Sequence, residues 1–304
     1  MLGEITTKIK DLSHSKTLRR IIPASMFITL HSIFRLPYYH KQISQRVDEN
    51  TILLADYPRC GIGWLRFVLS SALHLENKGE ILKLNHDQMH KYAPTLAGRV
   101  FHKAYRFGND YNLLKTHYRY DQRFKKAVVI YRDPFKAIRS YYAHQLMEEG
   151  SIITRPYRGL SRDDSFLISQ AEDFIRFYQS WLFKLEKDPG NFFLLKYEDL
   201  LSNPVELFSG VFDFLNIELN ARDIDKLANL YRKEDVSTPL NTDKSPEEAF
   251  RDKAEIINRI TPVMTSENLK RLNPGLEERL NQVMIKLDSL RKRIELKKVK
   301  INEK

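Results

Sequence analysis

The sequence predicts an α/β fold, a three-layer α/β/α arrangement around a central, mostly parallel sheet. Three observations carry this expectation. Short apolar runs alternate with longer helical patterns through the middle of the chain, the order that builds parallel sheets covered on both faces. A tight glycine-bearing loop, Tyr57-Pro-Arg-Cys-Gly-Ile-Gly63, separates the first run from the first helical pattern. Two helix starts pair a capping side chain with proline at the first helical position, at Asp133-Pro134 and Asn203-Pro204.

Taken in order, residues 51–57 form the first predicted strand and residues 63–75 the first helix. Strands follow at 111–116, at 126–131 (Lys-Ala-Val-Val-Ile-Tyr) and at 191–197 (Asn-Phe-Phe-Leu-Leu-Lys-Tyr). Their near-continuous apolar character is that of strands buried on both faces. Helices are predicted at 134–147, 164–187, 203–215 and 220–232. Residues 236–250 read as a polar loop of the kind that folds over a ligand in α/β enzymes. From Pro274 one long helix runs into a Lys-rich tail whose end is expected to fray. There is no internal repeat. The chain divides into a basic N-terminal arm (1–50), a main domain (51–272) and a basic C-terminal helix (273–304).

Composition narrows the class. A chain of 304 residues, 42% hydrophobic, with 15 tyrosines and 17 phenylalanines, has the material for a sizeable packed core. The single cysteine, Cys60, excludes an internal disulfide and a cysteine-based structural zinc site, and a reducing, cytoplasmic location is the simplest expectation. The net charge of +11 is uneven: residues 1–50 hold 8 basic and 4 acidic side chains, residues 251–304 hold 14 and 8, and the middle is close to neutral. Such arms suit a peripheral contact with a membrane surface, an acidic partner or an anionic substrate, and equally suit plain solvated helix faces. The apolar segment 21–36 is interrupted by Pro23, His31 and Arg35, which makes it too short and polar for a membrane span; it reads as a docking or an interfacial helix. No secretory leader pattern is expected at the start. No motif with interleaved aromatics supports nucleic-acid binding, and nothing in the pattern specifies an oligomeric state.

Three clusters carry chemistry. In the first, the strand, loop and helix N-terminus around residues 55–66 form an anion cradle: backbone N–H groups converge and the helix dipole adds roughly half a positive charge. Arg59 adds a full charge. The loop lacks the Gly-Lys-Ser/Thr ending of a Walker A sequence, so it offers no obvious Mg²⁺ ligand and disfavours an ordinary ATPase or kinase. Cys60 to Arg66 also matches Cys-x-x-Gly-x-x-Arg, the spacing of cysteine-dependent phosphatases, but Arg59 stands where those enzymes place histidine and Phe67 where they place Ser or Thr. In the second cluster, Lys115-Thr-His117 ends a predicted strand, and alternation puts Lys115 and His117 on one face. A histidine there is suited to proton abstraction, although a lone histidine is more often structural. The third cluster sets Arg132 at a strand end and Ser140 two turns into the next helix, a pair that suits a phosphate, or that serves only Arg132–Asp133 pairing.

Together these clusters resemble the sulfotransferases that use 3′-phosphoadenosine 5′-phosphosulfate (PAPS). Tyr57-Pro-Arg-Cys-Gly-Ile-Gly-Trp64 is similar to the family's P-loop-like 5′-phosphosulfate loop, commonly Tyr-Pro-Lys-Ser-Gly-Thr-Thr-Trp. Tyr131-Arg-Asp-Pro followed by Ser140-Tyr-Tyr resembles its 3′-phosphate segment, and Lys115-Thr-His117 the segment with its catalytic histidine. Lys196-Tyr-Glu-Asp-Leu200 and Asn203-Pro-Val-Glu resemble its later strand and helix start. The likeness spans residues 50–217.

The resemblance implies a nucleotide-binding transferase that moves a sulfuryl group from PAPS to a hydroxyl, or an amine, of a small-molecule, glycan or glycolipid acceptor without a metal. It implies that Arg59 holds the phosphosulfate, that the backbone of Cys60, Gly61, Ile62 and Gly63 completes the cradle, and that Trp64 stacks on adenine. Arg132 and Ser140 would clamp the 3′-phosphate. His117 would deprotonate the acceptor, Lys115 would steady the transferred group, and Tyr197 would line the nucleotide site or the core. The sequence departs from the pattern in four places: Arg59 replaces lysine, Cys60 replaces serine, and Ile62 and Gly63 replace hydroxyl residues. The family's C-terminal Arg-Lys-Gly is not intact, Phe250-Arg-Asp-Lys253 being the nearest segment. Residues 85–110 and 145–162, loop-rich and carrying His86, His90, Arg99, Arg155 and Arg158, are expected to shape the acceptor site. A non-catalytic nucleotide-binding protein on the same fold is the alternative that the missing loop hydroxyls favour.

Overall fold

The computed structural model describes residues 40–41, 43–96, 105–149, 157, 159–231 and 254–302. The segment 21–36, the loop 236–250, Arg99, Arg155, Arg158, Arg251 and Lys253 lie outside them.

Five strands form one sheet: β1 (Thr51–Asp56), β2 (Arg106–Phe107), β3 (Tyr111–Thr116), β4 (Lys126–Tyr131) and β5 (Phe192–Lys196), in the order β2-β3-β1-β4-β5. All pairings are parallel except that of the short edge strand β2 with β3. All six residues of β1 are buried, as are the last five of β4. That burial explains the unbroken apolar runs, since helices cover these strands on both faces.

The helices are α1 (Ile62–Lys78), α2 (His86–Tyr92), α3 (Pro134–Glu149), α4 (Arg162–Lys187), α5 (Tyr197–Ser202), α6 (Pro204–Leu215), α7 (Ala221–Leu230), α8 (Ser266–Leu272) and α9 (Pro274–Asn302). They pack in two groups, α1, α2, α5, α6 and α7 in one and α3, α4, α8 and α9 in the other. This is the predicted α/β/α architecture. In α4, Ser161 caps the first turn by accepting from the Asp164 N–H, which contributes about 1 kcal/mol. Its inner face buries Phe166, Phe174, Tyr178 and Trp181, and Trp181 stacks on Phe124 with ring centres 5.7 Å apart. Each such ring removed from water contributes about 1.5–3 kcal/mol.

Two local expectations change. Asp133 caps α3 as predicted, its Oδ1 accepting from the Lys136 N–H at 2.8 Å. Asn203 makes no such side-chain cap: it ends α5 through its own N–H on the Asp199 carbonyl, and its backbone at φ −133, ψ 61 is not the extended geometry from which a side chain caps the next helix. The proline half of the device holds, since Pro204 opens α6. The stretch 85–110, read as loop-rich, contains α2 and β2; α2 is fixed by a reciprocal capping box between Asn85 and Gln88. The C-terminal helix docks on the main domain: Leu276, Leu280, Val283, Leu287 and Leu290 are buried, and Asp288 bonds Tyr131 Oη at 2.6 Å and Lys196 Nζ at 2.9 Å. None of the described helices is long and apolar enough to cross a membrane.

Candidate active site

The sheet order decides where the chemistry collects. β1 lies at the centre, and the chain crosses to β3 on one side and to β4 on the other, so a crevice opens beyond the C-terminal strand ends. The register aligns Ala55 with Thr116 and Asp56 with Ile130. The three predicted clusters, which follow β1, β3 and β4, therefore become neighbours. They line one cavity of about 540 Å³.

The loop after β1 is tightly held. Cys60 N–H bonds the Tyr57 carbonyl at 3.2 Å, Arg59 sits in the left-handed region at φ 70, and Gly61 follows at φ 112. A left-handed backbone costs a non-glycine residue roughly 1–2 kcal/mol, and here the Arg59 carbonyl is gripped by Arg132 Nη1 at 3.0 Å. Gly61 is required by space as well as by φ, since a Cβ there would lie 2.4 Å from the Tyr197 ring. That ring in turn carries the Arg132 guanidinium, 4.5 Å from its centre. Tyr197 thus supports both the loop and Arg132.

Of the predicted site residues, Arg59, Gly61, Ile62, Gly63, Trp64, Lys115, His117, Arg132, Ser140 and Tyr197 all line the cavity. Arg59 Nε donates to Ser140 Oγ at 3.3 Å, joining the first cluster to the third. His117 Nδ1 lies 2.9 Å from the Asp56 carbonyl oxygen and 2.8 Å from its carboxylate. Trp64 is largely buried against Phe208, ring centres 5.5 Å apart. Cys60 is different: it is fully buried below the loop, where Tyr178 Oη lies 3.4 Å from its sulfur. Burial, reinforced by the nearby Asp56 charge, pushes its thiol well up, the reverse of what a thiolate nucleophile needs.

Sequence reasoning missed three charged groups at the same cavity, Asp56, Lys136 and Arg139, and read Arg66 only through the phosphatase-like spacing. Asp56 is fully buried, and its Oδ2 faces the Ile62 N–H at 3.4 Å. Arg66 is buried with its guanidinium on the Ala93 carbonyl at 2.5 and 3.0 Å. Burial lowers it to about 10, against the pull of Asp56. Lys115 is lowered to about 8, chiefly by burial; Asp56 opposes the shift, and Arg66 and Arg59 add to it. Six cations and a single carboxylate among the described lining residues make this a site for a multiply charged anion. His86 and His90, expected near an acceptor, are instead turned to the protein, His86 against Phe67 and His90 beside Arg66.

With this geometry in view, the comparison with known families is decisive. The sulfotransferase domain family matches residues 49–284. The chain belongs to the sulfotransferase family. No curated protein matches it significantly along the sequence. Among solved structures, it is similar to a mouse sulfotransferase complexed with PAP at 16% identity and a TM-score of 0.43, covering 81% of this chain and 92% of that one. It is also similar to retinol dehydratase in complex with retinol and PAP, at 14% identity and a TM-score of 0.46, covering 74% and 85%. The matched region of this sulfotransferase takes in every strand and ends within α9.

Proposed function

We propose that this sulfotransferase moves the sulfuryl group of PAPS to a hydroxyl, or an amine, of an acceptor, with His117 as general base. The observation that supports the reading best is the meeting of three separate clusters at adjacent strand ends in one cationic cavity. The residues present fit such a donor. Arg132 Nε and Trp64 Nε1 are buried polar atoms without a hydrogen-bond partner, and both belong to groups assigned to the nucleotide. PAPS supplies an activated sulfuryl group on a phosphate leaving group; the protein supplies position and charge.

In-line transfer asks for a base on one side and stabilisation of the leaving oxygen on the other. His117 Nε2 takes the acceptor proton. Arg59 and the Gly61 and Gly63 backbone N–H groups offset charge on the departing phosphate oxygen, and Lys115 holds the group in transit. Arg132 and Ser140 bind the 3′-phosphate through charge-assisted and hydroxyl bonds, worth about 1.5–3 kcal/mol for the charged one. The hydroxyls missing from positions 60, 62 and 63 leave the backbone and Arg59 as the main cradle.

His117→Ala tests the assignment. Turnover should fall at least about 100-fold, while PAP binding measured by calorimetry stays unchanged. Near-wild-type turnover would remove His117 as the base. Intact nucleotide binding with no transfer by the wild-type protein, across hydroxyl and amine acceptors, would favour a non-catalytic nucleotide-binding role.

A further inference from the structure

His117 is held at one nitrogen by two oxygens of a single residue. Its Nδ1–H donates to the Asp56 backbone carbonyl at 2.9 Å, and the Asp56 carboxylate Oδ1 lies 2.8 Å from the same nitrogen as a charge neighbour, without a hydrogen bond of its own. A carbonyl and an ionised carboxylate only accept, so the imidazole proton belongs on Nδ1, and Nε2 keeps the lone pair. Asp56 is completely buried, whereas the His117 side chain is one-third exposed, which leaves the carboxylate side of the ring dry and the other side open. The single-carboxylate composition of the cavity lining makes this contact specific. The neighbouring charges of Lys115 and Arg66 offset the cost of burying Asp56.

We infer that Asp56 is a positioning residue for transfer: its backbone carbonyl fixes the Nδ1–H tautomer of His117, and its carboxylate stabilises the imidazolium that forms as the acceptor is deprotonated. The inference rests on the function proposed above. In the step itself, the acceptor oxygen forms a bond to sulfur as its proton passes to His117 Nε2. The bond from sulfur to the bridging phosphate oxygen breaks, and its electron pair leaves on the phosphate of PAP. The ring thereby gains a positive charge 2.8 Å from a carboxylate that solvent does not screen. The same carboxylate touches the first amide of α1, so the base and the anion cradle share one anchor.

The test has two readouts. Nitrogen NMR of ¹⁵N-labelled wild-type protein, with the His117 signals assigned through their loss in His117→Gln, should show Nδ1 protonated and Nε2 bare. In Asp56→Asn, kcat measured with PAPS and acceptor saturating should fall at least about 10-fold. In the His117→Gln background, Asp56→Asn should cause no further loss of kcat. An Nε2-protonated ring in the wild type overturns the inference without any Asp56 variant. An equal loss of kcat in both backgrounds also overturns it, since Asp56 would then act on structure alone. If the wild type neither binds PAP nor transfers a sulfuryl group, the proposed function falls, while the tautomer still decides whether the Asp56 backbone carbonyl orients His117.

Discussion

Burial favours the neutral form of Lys115 and of Cys60 alike, with opposite consequences for function. For Lys115, drawn down to about 8, the charge is present at neutral pH and lost above it. Only the protonated ammonium attracts an anion, so affinity for PAP should fall as pH rises from 7 to 9.5, by up to about tenfold per unit beyond 8. Lys115→Arg should flatten that decline, and calorimetry across the pH range reads both; a flat wild-type profile would take Lys115 out of the anion site. For Cys60 the neutral thiol is a small buried hydrophobe. Cys60→Ala should leave PAP affinity within about threefold, whereas its abolition would return Cys60 to the chemistry. Most of these residues were legible because each stands at the end of an apolar run next to a helix start. Asp56 was not, although it stands beside the loop. Its partner is 61 positions away, and only the parallel register of β1 with β3 brings His117 to it.

At the level of elements, the loop between β1 and α1 depends on α5, a helix far along the chain. Gly61→Ala would place a methyl group in the Tyr197 ring at a backbone angle that disfavours any side chain. Either the loop or Tyr197 and the Arg132 above it must shift. The expected outcome is a loss of at least about 1–2 kcal/mol in unfolding free energy, with PAP affinity reduced at least tenfold. Denaturant titration and calorimetry check the two; full retention of both would show that the loop is not braced by Tyr197. Strands β1, β3, β4 and β5 were readable from their apolar runs. The two-residue β2 is too short for periodicity to register, and seven-residue α2 and α8 carry too few turns. The capping box of α2, Asn85 with Gln88, was a legible signal that pattern reading passed over. At Asn203 the residue types match a capped helix start, but the backbone there, at φ −133 and ψ 61, is not extended and the side chain makes no cap bond.

At the scale of the whole molecule, the main domain is close to neutral in sequence yet concentrates positive charge in one cavity. The fold does this by placing β1 centrally, so that three loops from distant parts of the chain converge. Helix α9 braces the far side of the same strand ends through Asp288 on Tyr131 and Lys196, and through Arg291, 2.9 Å from Asp199. The domain match states the family, and the cavity states which groups are positioned to serve it. The central claim is that this cavity recognises a nucleotide with two phosphate positions. Calorimetry with adenosine 3′,5′-bisphosphate beside adenosine 5′-monophosphate addresses it directly. The bisphosphate should bind at least about 100-fold more tightly, the worth of one or two charge-assisted bonds from Arg132 and Ser140. Equal affinity for the two nucleotides, or binding of neither, would contradict the account.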